Sequence, residues 1–232
     1  MSDATNTTIC MVTFRRTTQL AQILTALRRQ QPPVRIWLWN NNPEPLRPDL
    51  AAVPDWLVNS SQNRLCPPRW WLAGQATTRY VLIPDDDLLP ATKTAVTSLV
   101  AHCEPGRLVG PFGATLRGRY RDRIDVGSKD TPQLVDVIKG RCMAGLTNTI
   151  REVLPWSGVL QARIRSLADY DDGCEDDLSM CGAVSEGHFG RHLIPAGIAS
   201  DWRDLPEGSE SLSRRADHIA RRERVAERWF RD

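Results

Sequence analysis

The first hundred residues alternate between short apolar runs and amphipathic stretches. Apolar runs at Thr8–Phe14 and Val34–Trp39 predict two buried strands. Between them, Leu20, Ile23, Leu24 and Leu27 recur at helical spacing, so we expect a helix there that ends before Pro32-Pro33. A strand, a helix and a second strand in this order predict a parallel sheet of the nucleotide-binding type.

The pattern continues with further strands and helices along the chain. We expect strands at Trp56–Asn59, Tyr80–Ile83, Leu108–Phe112 and Asp136–Lys139, and helices at Trp70–Thr77, Thr92–Cys103, Asp177–Val184 and Ser211–Phe230. No repeat or linker divides the 232 residues, so we predict one α/β domain spanning 1–232. Residues 8–103 would bind the nucleotide, and 104–232, with the arginine-rich last helix, would bind the acceptor.

Composition narrows the possible functions. The net charge of +2 makes a polyanionic partner unnecessary, so we expect no nucleic acid. Another option, nucleic-acid binding through the arginine-rich end, would leave the acidic triplet at residues 85–87 unexplained. No apolar run reaches the length of a membrane span, and the first residues lack a signal peptide. We therefore expect a cytoplasmic protein with six cysteines as free thiols, and a lumenal one only if the chain has been trimmed.

The acidic triplet Asp85-Asp86-Asp87 follows the apolar run Tyr80–Ile83 directly. Like charges at a strand end are costly unless something neutralises them, and carboxylates are the hard ligands that Mg²⁺ and Mn²⁺ prefer. On an extended backbone the first and third side chains share a face. We therefore predict that Asp85 and Asp87 bind one divalent ion, Mn²⁺ or Mg²⁺, and that Asp86 points elsewhere.

A second acidic stretch and a basic helix complete the candidate site. The acidic stretch comprises Asp169, Asp171, Asp172, Glu175, Asp176 and Asp177. Some of these carboxylates can stabilise a helix start, but we expect one to face a reacting group, with Asp176 first and Glu175 second. Arginine offers a bidentate fork for phosphate, and in the last helix Arg222 is the first candidate. Of the adjacent Trp70 and Trp71, we expect at least one to pack in the core.

Taken together, these motifs resemble those of the exostosin-like glycosyltransferases. The shared elements, in order, are Trp39-Asn40-Asn41, Asn63-Arg64, Asp85-Asp86-Asp87, Val137-Ile138-Lys139-Gly140, Cys174-Glu175-Asp176, and Leu212-Ser213 with His218 and Arg222. The resemblance spans about residues 8–225. It implies a GT-A fold: a Rossmann-like, mostly parallel sheet with flanking helices.

The resemblance also implies an activity and residue roles. The chain would transfer a hexose or N-acetylhexosamine from a nucleotide-sugar, typically a UDP-sugar, to a glycan or small-molecule hydroxyl with Mn²⁺ and retention of configuration. The implied nucleotide-sugar contacts are Thr13, Arg15, Asn40, Asn63, Arg64, Asp85 and Asp86, with Asp87 and Asp85 at the metal and Asp176, Glu175 and Arg222 in catalysis.

Two alternatives stay open. The enzyme could instead invert configuration, with Asp176 or Glu175 as the general base that deprotonates the acceptor. The chain could also be a sugar-nucleotide-binding or carbohydrate-binding protein without activity.

Overall fold

The computed structural model describes residues 6–154, 175–188, 190–206 and 212–230. The predicted opening of strand, helix and strand is present as β1 (Thr7–Thr13), α1 (Thr17–Arg28) and β2 (Arg35–Asn40). The rest of the first half comprises α2 (Pro48–Ala51), β3 (Trp56–Asn59), α3 (Pro68–Gln75), β4 (Tyr80–Pro84), β5 (Leu88–Pro90) and α4 (Ala95–Val100).

The second half of the described chain contains more strands than the sequence predicts. Its elements are β6 (Phe112–Arg117), β7 (Arg119–Gly127), β8 (Gln133–Val135), β9 (Val137–Ile138), β10 (Cys142–Leu146), α5 (Thr147–Val153), α6 (Asp176–His188), β11 (His192–Ile194), β12 (Trp202–Asp204) and α7 (His218–Phe230). Two 3₁₀ turns, Ile198–Asp201 and Leu212–Arg214, precede the last strand and the last helix.

The central sheet has the strand order β10-β4-β1-β2-β3. Its first four strands in sequence, β1 to β4, are parallel, and β10 joins β4 antiparallel. Because the parallel strands share a direction, the residues after β1, β2, β3 and β4 meet at one edge of the sheet. This edge, which we call the carboxyl edge, carries Phe14, Asn41, Ser60 and Asp85.

Helices cover both faces of this sheet. Leu20, Ile23, Leu24 and Leu27 of α1 are all buried, as their spacing predicts, and pack with α4 against one face. Helices α3, α5 and α6 contribute to a second apolar cluster on the other face, which contains Val81 and Ile83 of β4. The sequence therefore forms a helix–sheet–helix arrangement, and the predicted fold class is confirmed.

Several predicted boundaries were wrong in the second half. The strand expected at Leu108–Phe112 begins instead at Phe112, where β6 pairs with β7 through the tight turn at Gly118. The strand expected at Asp136–Lys139 is shorter, since Asp136 separates β8, which pairs with β11, from β9, which pairs with β6. Five cysteines are free thiols, four of them buried, while Cys174 lies outside the described residues.

Candidate functional site at the carboxyl edge

The acidic triplet forms a turn at the carboxyl edge. Asp85 follows β4, the Leu88 amide donates to the Asp85 carbonyl at 3.4 Å, and β5 then runs away from the turn. The extended backbone expected for the triplet is therefore wrong, since the chain reverses at Asp86 and Asp87. This turn changes which carboxylates lie side by side.

Asp86 fixes the loop that joins β1 to α1. Its carboxylate accepts hydrogen bonds from Thr13 Oγ1 at 2.9 Å, from the Phe14 amide at 3.1 Å and from Arg16 Nη1 at 2.7 Å. Burial raises the pKa of Asp86, and the Arg16 guanidinium opposes that rise. Thr13, expected near a base and ribose, is fully buried and holds Asp86 in place.

Arg16 joins the second and third carboxylates of the triplet. Its Nη1 atom lies 2.7 Å from Asp86 Oδ1 and 2.7 Å from Asp87 Oδ2. The Arg16 side chain is 14% exposed and that of Asp87 is 13% exposed. The prediction that Asp86 points away from Asp87 is therefore wrong, because both carboxylates contact the same guanidinium.

Asp85 has a different partner, Arg69 at the start of α3. Arg69 Nη1 donates to Asp85 Oδ1 at 2.5 Å, and 35% of the Asp85 side chain remains exposed. Burial raises the pKa of Asp85 to about 7, against the opposing charge of Arg69 and with a further rise from the neighbouring carboxylates. A cation placed beside Asp85 would reverse that rise and favour its ionised form.

The same guanidinium connects the triplet to Asp176, the first residue of α6. Arg69 Nε and Nη2 donate to the two oxygens of Asp176 at 2.7 and 2.8 Å, and Trp70 Nε1 donates at 2.6 Å. Arg69 Nη1 also reaches the Gly140 carbonyl at 3.0 Å. A buried arginine thus ties the carboxyl edge to the second half of the chain.

The neighbouring Asp177 forms a separate buried cluster. Arg222 Nη1 and Nη2 bind its two oxygens at 2.9 and 2.8 Å, and Arg222 Nε donates to Tyr120 Oη at 2.5 Å. Burial opposes ionisation of Asp177, but the paired Arg222 lowers its pKa overall. Arg222 therefore forms a buried ion pair with Asp177, and its contact with a diphosphate stays a prediction.

Glu175 lies beside this cluster and is also buried. The rest of the acidic stretch, Asp169 to Cys174, lies outside the described residues. Of the acidic stretch, the structure therefore places only Glu175, Asp176 and Asp177 relative to the triplet, and Asp176 is the one that shares a partner with it.

Asn40 is fully buried at the end of β2. Its Nδ2 donates to the Glu44 carbonyl and to Asn59 Oδ1, both at 3.0 Å, and its Oδ1 accepts from the side chain and amide of Asn42. These contacts shape the turn after β2. A direct contact between Asn40 and a nucleotide stays a prediction.

The next residue, Asn41, carries the loop that contains Arg64. Asn41 Oδ1 accepts from Trp39 Nε1 and from the Arg64 amide, both at 3.0 Å, and its Nδ2 donates to the Leu65 carbonyl at 2.8 Å. The sequence motif contains Asn41, but the structure is needed to assign it this supporting role.

The predicted residues Arg15, Asn63 and Arg64 are exposed near the carboxyl edge. The Arg15 amide donates to Asn42 Oδ1 at 2.7 Å, with the residue in the left-handed region at φ 60°. Asn63 Oδ1 accepts from the Leu65 amide at 2.8 Å. The structure thus brings these three to the same edge as the triplet, on elements that other side chains hold in place.

The described carboxylates do not by themselves form a closed metal site. Within residues 6–154, 175–188, 190–206 and 212–230, no three acidic, histidine or cysteine side chains form a group that could enclose an ion. Mg²⁺-type ions are commonly bound by one or two carboxylates together with substrate phosphates and water. When ionised, the five carboxylates at positions 85, 86, 87, 176 and 177 face three guanidiniums at 16, 69 and 222, which leaves two negative charges.

Comparison with solved structures finds a similar fold in a protein of known structure. A mannosyltransferase, PcManGT from Pyrobaculum calidifontis, solved in complex with GDP-Man and Mn²⁺, matches with a TM-score of 0.61 at 15% sequence identity. The match covers 96% of this chain and 64% of the mannosyltransferase. The two chains share a fold. At this identity the likeness is one of fold alone, and this chain spans less than two thirds of the length of the mannosyltransferase it matches.

Other comparisons add no family assignment. No protein-family profile matches the chain, and no curated protein matches it by sequence. Among the helices in the described part of the chain, none is long and apolar enough to cross a membrane. The exostosin-like resemblance therefore stays a prediction, whereas the predicted fold class, a mostly parallel central sheet with flanking helices, is confirmed.

Proposed function

We propose that this protein transfers a sugar from a nucleotide-sugar donor to a hydroxyl group of an acceptor, with the help of a divalent cation. The observation that carries the proposal is the acidic turn at the carboxyl edge. There the three ionised carboxylates at positions 85, 86 and 87 carry more negative charge than the contacting guanidiniums of Arg16 and Arg69 neutralise. Ligands of open α/β sheets bind beyond this edge. The similar mannosyltransferase, solved with GDP-Man and Mn²⁺, supports a donor of this class.

Asp87 and Asp85 are the proposed metal ligands, with Mn²⁺ or Mg²⁺ as the ion. Asp85 supports this role because about a third of its side chain is exposed and Arg69 contacts only its Oδ1. The bound ion would neutralise the charge that develops on the leaving diphosphate. Asp86 has a different proposed role: it holds the β1–α1 loop against the donor.

The nucleotide would lie along the exposed residues of the same edge. Arg64 and Arg15 carry guanidiniums that suit phosphate, and Asn63 offers a side-chain amide. Thr13 and Asn40 are buried beneath this surface and hold it in place: Thr13 binds Asp86, and Asn40 binds the turn after β2. We expect their substitution to weaken donor binding through displaced backbone.

Transfer with retention of configuration is the proposed stereochemical outcome. An inverting enzyme needs a carboxylate that can approach and deprotonate the acceptor. Asp176 is a poor candidate for that base, because Arg69 and Trp70 donate three hydrogen bonds to its oxygens. Asp176 instead positions Arg69. The anomeric configuration of the product distinguishes retention from the alternative, inversion with Asp176 or Glu175 as the base.

A donor panel tests the proposal. UDP- and GDP-linked hexoses and N-acetylhexosamines are incubated with Mn²⁺, and release of the nucleoside diphosphate is measured with and without a glycan or small-molecule acceptor. We expect metal-dependent release from at least one donor, and a loss of at least 100-fold in Asp87→Ala. The control Asp49→Ala removes an exposed carboxylate paired with Arg47 and should retain full activity.

Two outcomes contradict the proposal. Undiminished release by Asp87→Ala in the presence of chelator would remove the metal from the mechanism. Tight donor binding by the unaltered chain, with no release under any condition, would instead indicate a sugar-nucleotide-binding protein without activity.

A further inference from the structure

Arg16 lies where a cation would be expected beside Asp87. Its Nη1 atom is equidistant, at 2.7 Å, from one oxygen of Asp86 and one oxygen of Asp87. The carboxylate charges raise the pKa of Arg16, against the effect of burial. Asp85, the third carboxylate, is held by Arg69 and not by Arg16.

We infer that Arg16 is a counter-ion that keeps Asp87 occupied until a nucleoside diphosphate binds. The divalent ion therefore binds together with the nucleotide and not before it. This inference rests on the proposed function of the same site. It assigns a positioning role to a residue that neither the triplet nor the resemblance singles out.

The first argument is electrostatic. An ion bound to Asp87 would lie close to the guanidinium that now contacts Asp87 Oδ2, and two like charges at that distance repel in a partly buried site. With the Arg16 and Asp87 side chains both about one-seventh exposed, solvent screens this repulsion only in part. A metal ion alone must therefore displace Arg16 without offering it a new partner.

A nucleoside diphosphate removes that penalty. Its phosphates add negative charge at the edge, supply further oxygen ligands to the ion, and give the displaced guanidinium a bidentate partner. Metal and nucleotide would then each strengthen the binding of the other by the same factor, as linkage requires.

The loop around Arg16 can permit this exchange without refolding. Asp86 also accepts from Thr13 Oγ1 and from the Phe14 amide, so the backbone before Arg16 stays fixed when its guanidinium leaves. The amide of Leu20 closes the first turn of α1 on the Arg16 carbonyl at 3.0 Å. Only the side chain of Arg16 has to move.

The experiment measures Mn²⁺ affinity by electron paramagnetic resonance, which detects free Mn²⁺, in the absence and presence of GDP or UDP. We expect the unaltered chain to bind Mn²⁺ at least tenfold more tightly with one of these nucleotides. Arg16→Gln should bind Mn²⁺ alone at least tenfold more tightly than the unaltered chain. The added effect of the nucleotide should be smaller than in the unaltered chain, because only the phosphate oxygens that bind the ion then contribute to it.

Matched variants separate charge removal from a folding effect. Arg28→Gln breaks an ion pair with Asp55 at the other end of α1 and should bind Mn²⁺ as the unaltered chain does. Arg16→Lys keeps the charge but loses the planar fork, so it should show a smaller gain in Mn²⁺ affinity, which stands as the test if Arg16→Gln does not fold. Asp87→Asn in the Arg16→Gln background should abolish the gain.

The results distinguish this inference from the proposed function. If Mn²⁺ and nucleotide bind but the Arg16 variants leave Mn²⁺ affinity unchanged or weaker, the counter-ion role is wrong while the transferase proposal stands. If neither the unaltered chain nor Arg16→Gln binds Mn²⁺ under any condition, both are wrong.

Discussion

Arg69 is the side chain whose loss should disturb this protein most. Replacement by methionine keeps an unbranched apolar stem and removes a guanidinium that contacts Asp176, Asp85 and the Gly140 carbonyl. The side chains of Arg69 and Asp176 are 5% and 7% exposed, so Arg69→Met leaves a buried carboxylate without its counter-ion. Breaking such a pair costs about 3–5 kcal/mol. The more exposed Asp85 should add less to this loss than Asp176 does, because solvent screens its charge in part.

The loss should depend on pH in a defined direction. The Arg69 charge opposes the raised pKa of Asp85, so in Arg69→Met that pKa rises further above its unfolded value of about 3.9. Between these two values the folded state binds a proton that the unfolded state does not, so stability falls as pH rises. The destabilisation of Arg69→Met relative to the unaltered chain should therefore be larger at pH 8 than at pH 5.5.

Urea denaturation followed by circular dichroism at both pH values measures these effects. Arg47→Met is the matched control, since Arg47 pairs with Asp49 in an ion pair that is about two-thirds exposed, and it should change stability by less than about 0.5 kcal/mol. Arg69→Lys should fall between the two, because lysine cannot reproduce the fork on Asp176. A loss below about 1 kcal/mol in Arg69→Met, or one that grows at low pH, would refute the reasoning.

Two further stability predictions concern α6 and its surroundings. Gly182→Ala should lower the free energy of unfolding by about 1–2 kcal/mol in urea titrations, because its Cβ would lie 2.5 Å from Trp229 Cβ and the clash outweighs the gain in helix propensity. Gly187→Ala, with its nearest neighbour 4.0 Å away, should be neutral or stabilising, and equal effects at both glycines would contradict this packing. Burial lowers the pKa of His192 to about 4, so its contribution of roughly 3 kcal/mol is complete above pH 6.5 and disappears as pH falls through 4. His192→Gln should flatten the loss of stability between pH 6.5 and 4, and an unchanged slope would show that His192 is not the titrating group.

Much of the fold follows from local pattern. The apolar runs around β1, β2 and β4 are buried strands, and the helical spacing of Leu20 to Leu27 gives α1. Between Phe112 and Leu146 the pattern is less informative. β7 is largely exposed and polar at the edge of a three-stranded sheet with β6 and β9, and the short apolar run of β10 is as typical of a helix as of a strand.

For a similar reason, the sequence identifies the acidic residues of the candidate site but not Arg16 and Arg69, which bind them. Acidic residues next to one another, such as Asp85 to Asp87, stand out in a sequence, whereas Arg16 and Arg69 are two among many arginines. Their importance comes from partners 70 and 107 residues away, which only the fold brings together. The same limit explains the wrong expectation for Asp86, since a turn after β4 cannot be distinguished from an extended segment by composition.

Crystals of this protein grown with Mn²⁺ and a nucleoside diphosphate would test the central claim directly through the anomalous signal of manganese. The account predicts a single strong peak within coordination distance of the Asp87 carboxylate, with diphosphate oxygens on its other side and Arg16 turned away from Asp87. A peak elsewhere on the molecule, or diphosphate bound at the carboxyl edge with Arg16 still bridging Asp86 and Asp87 and no manganese beside them, would contradict it.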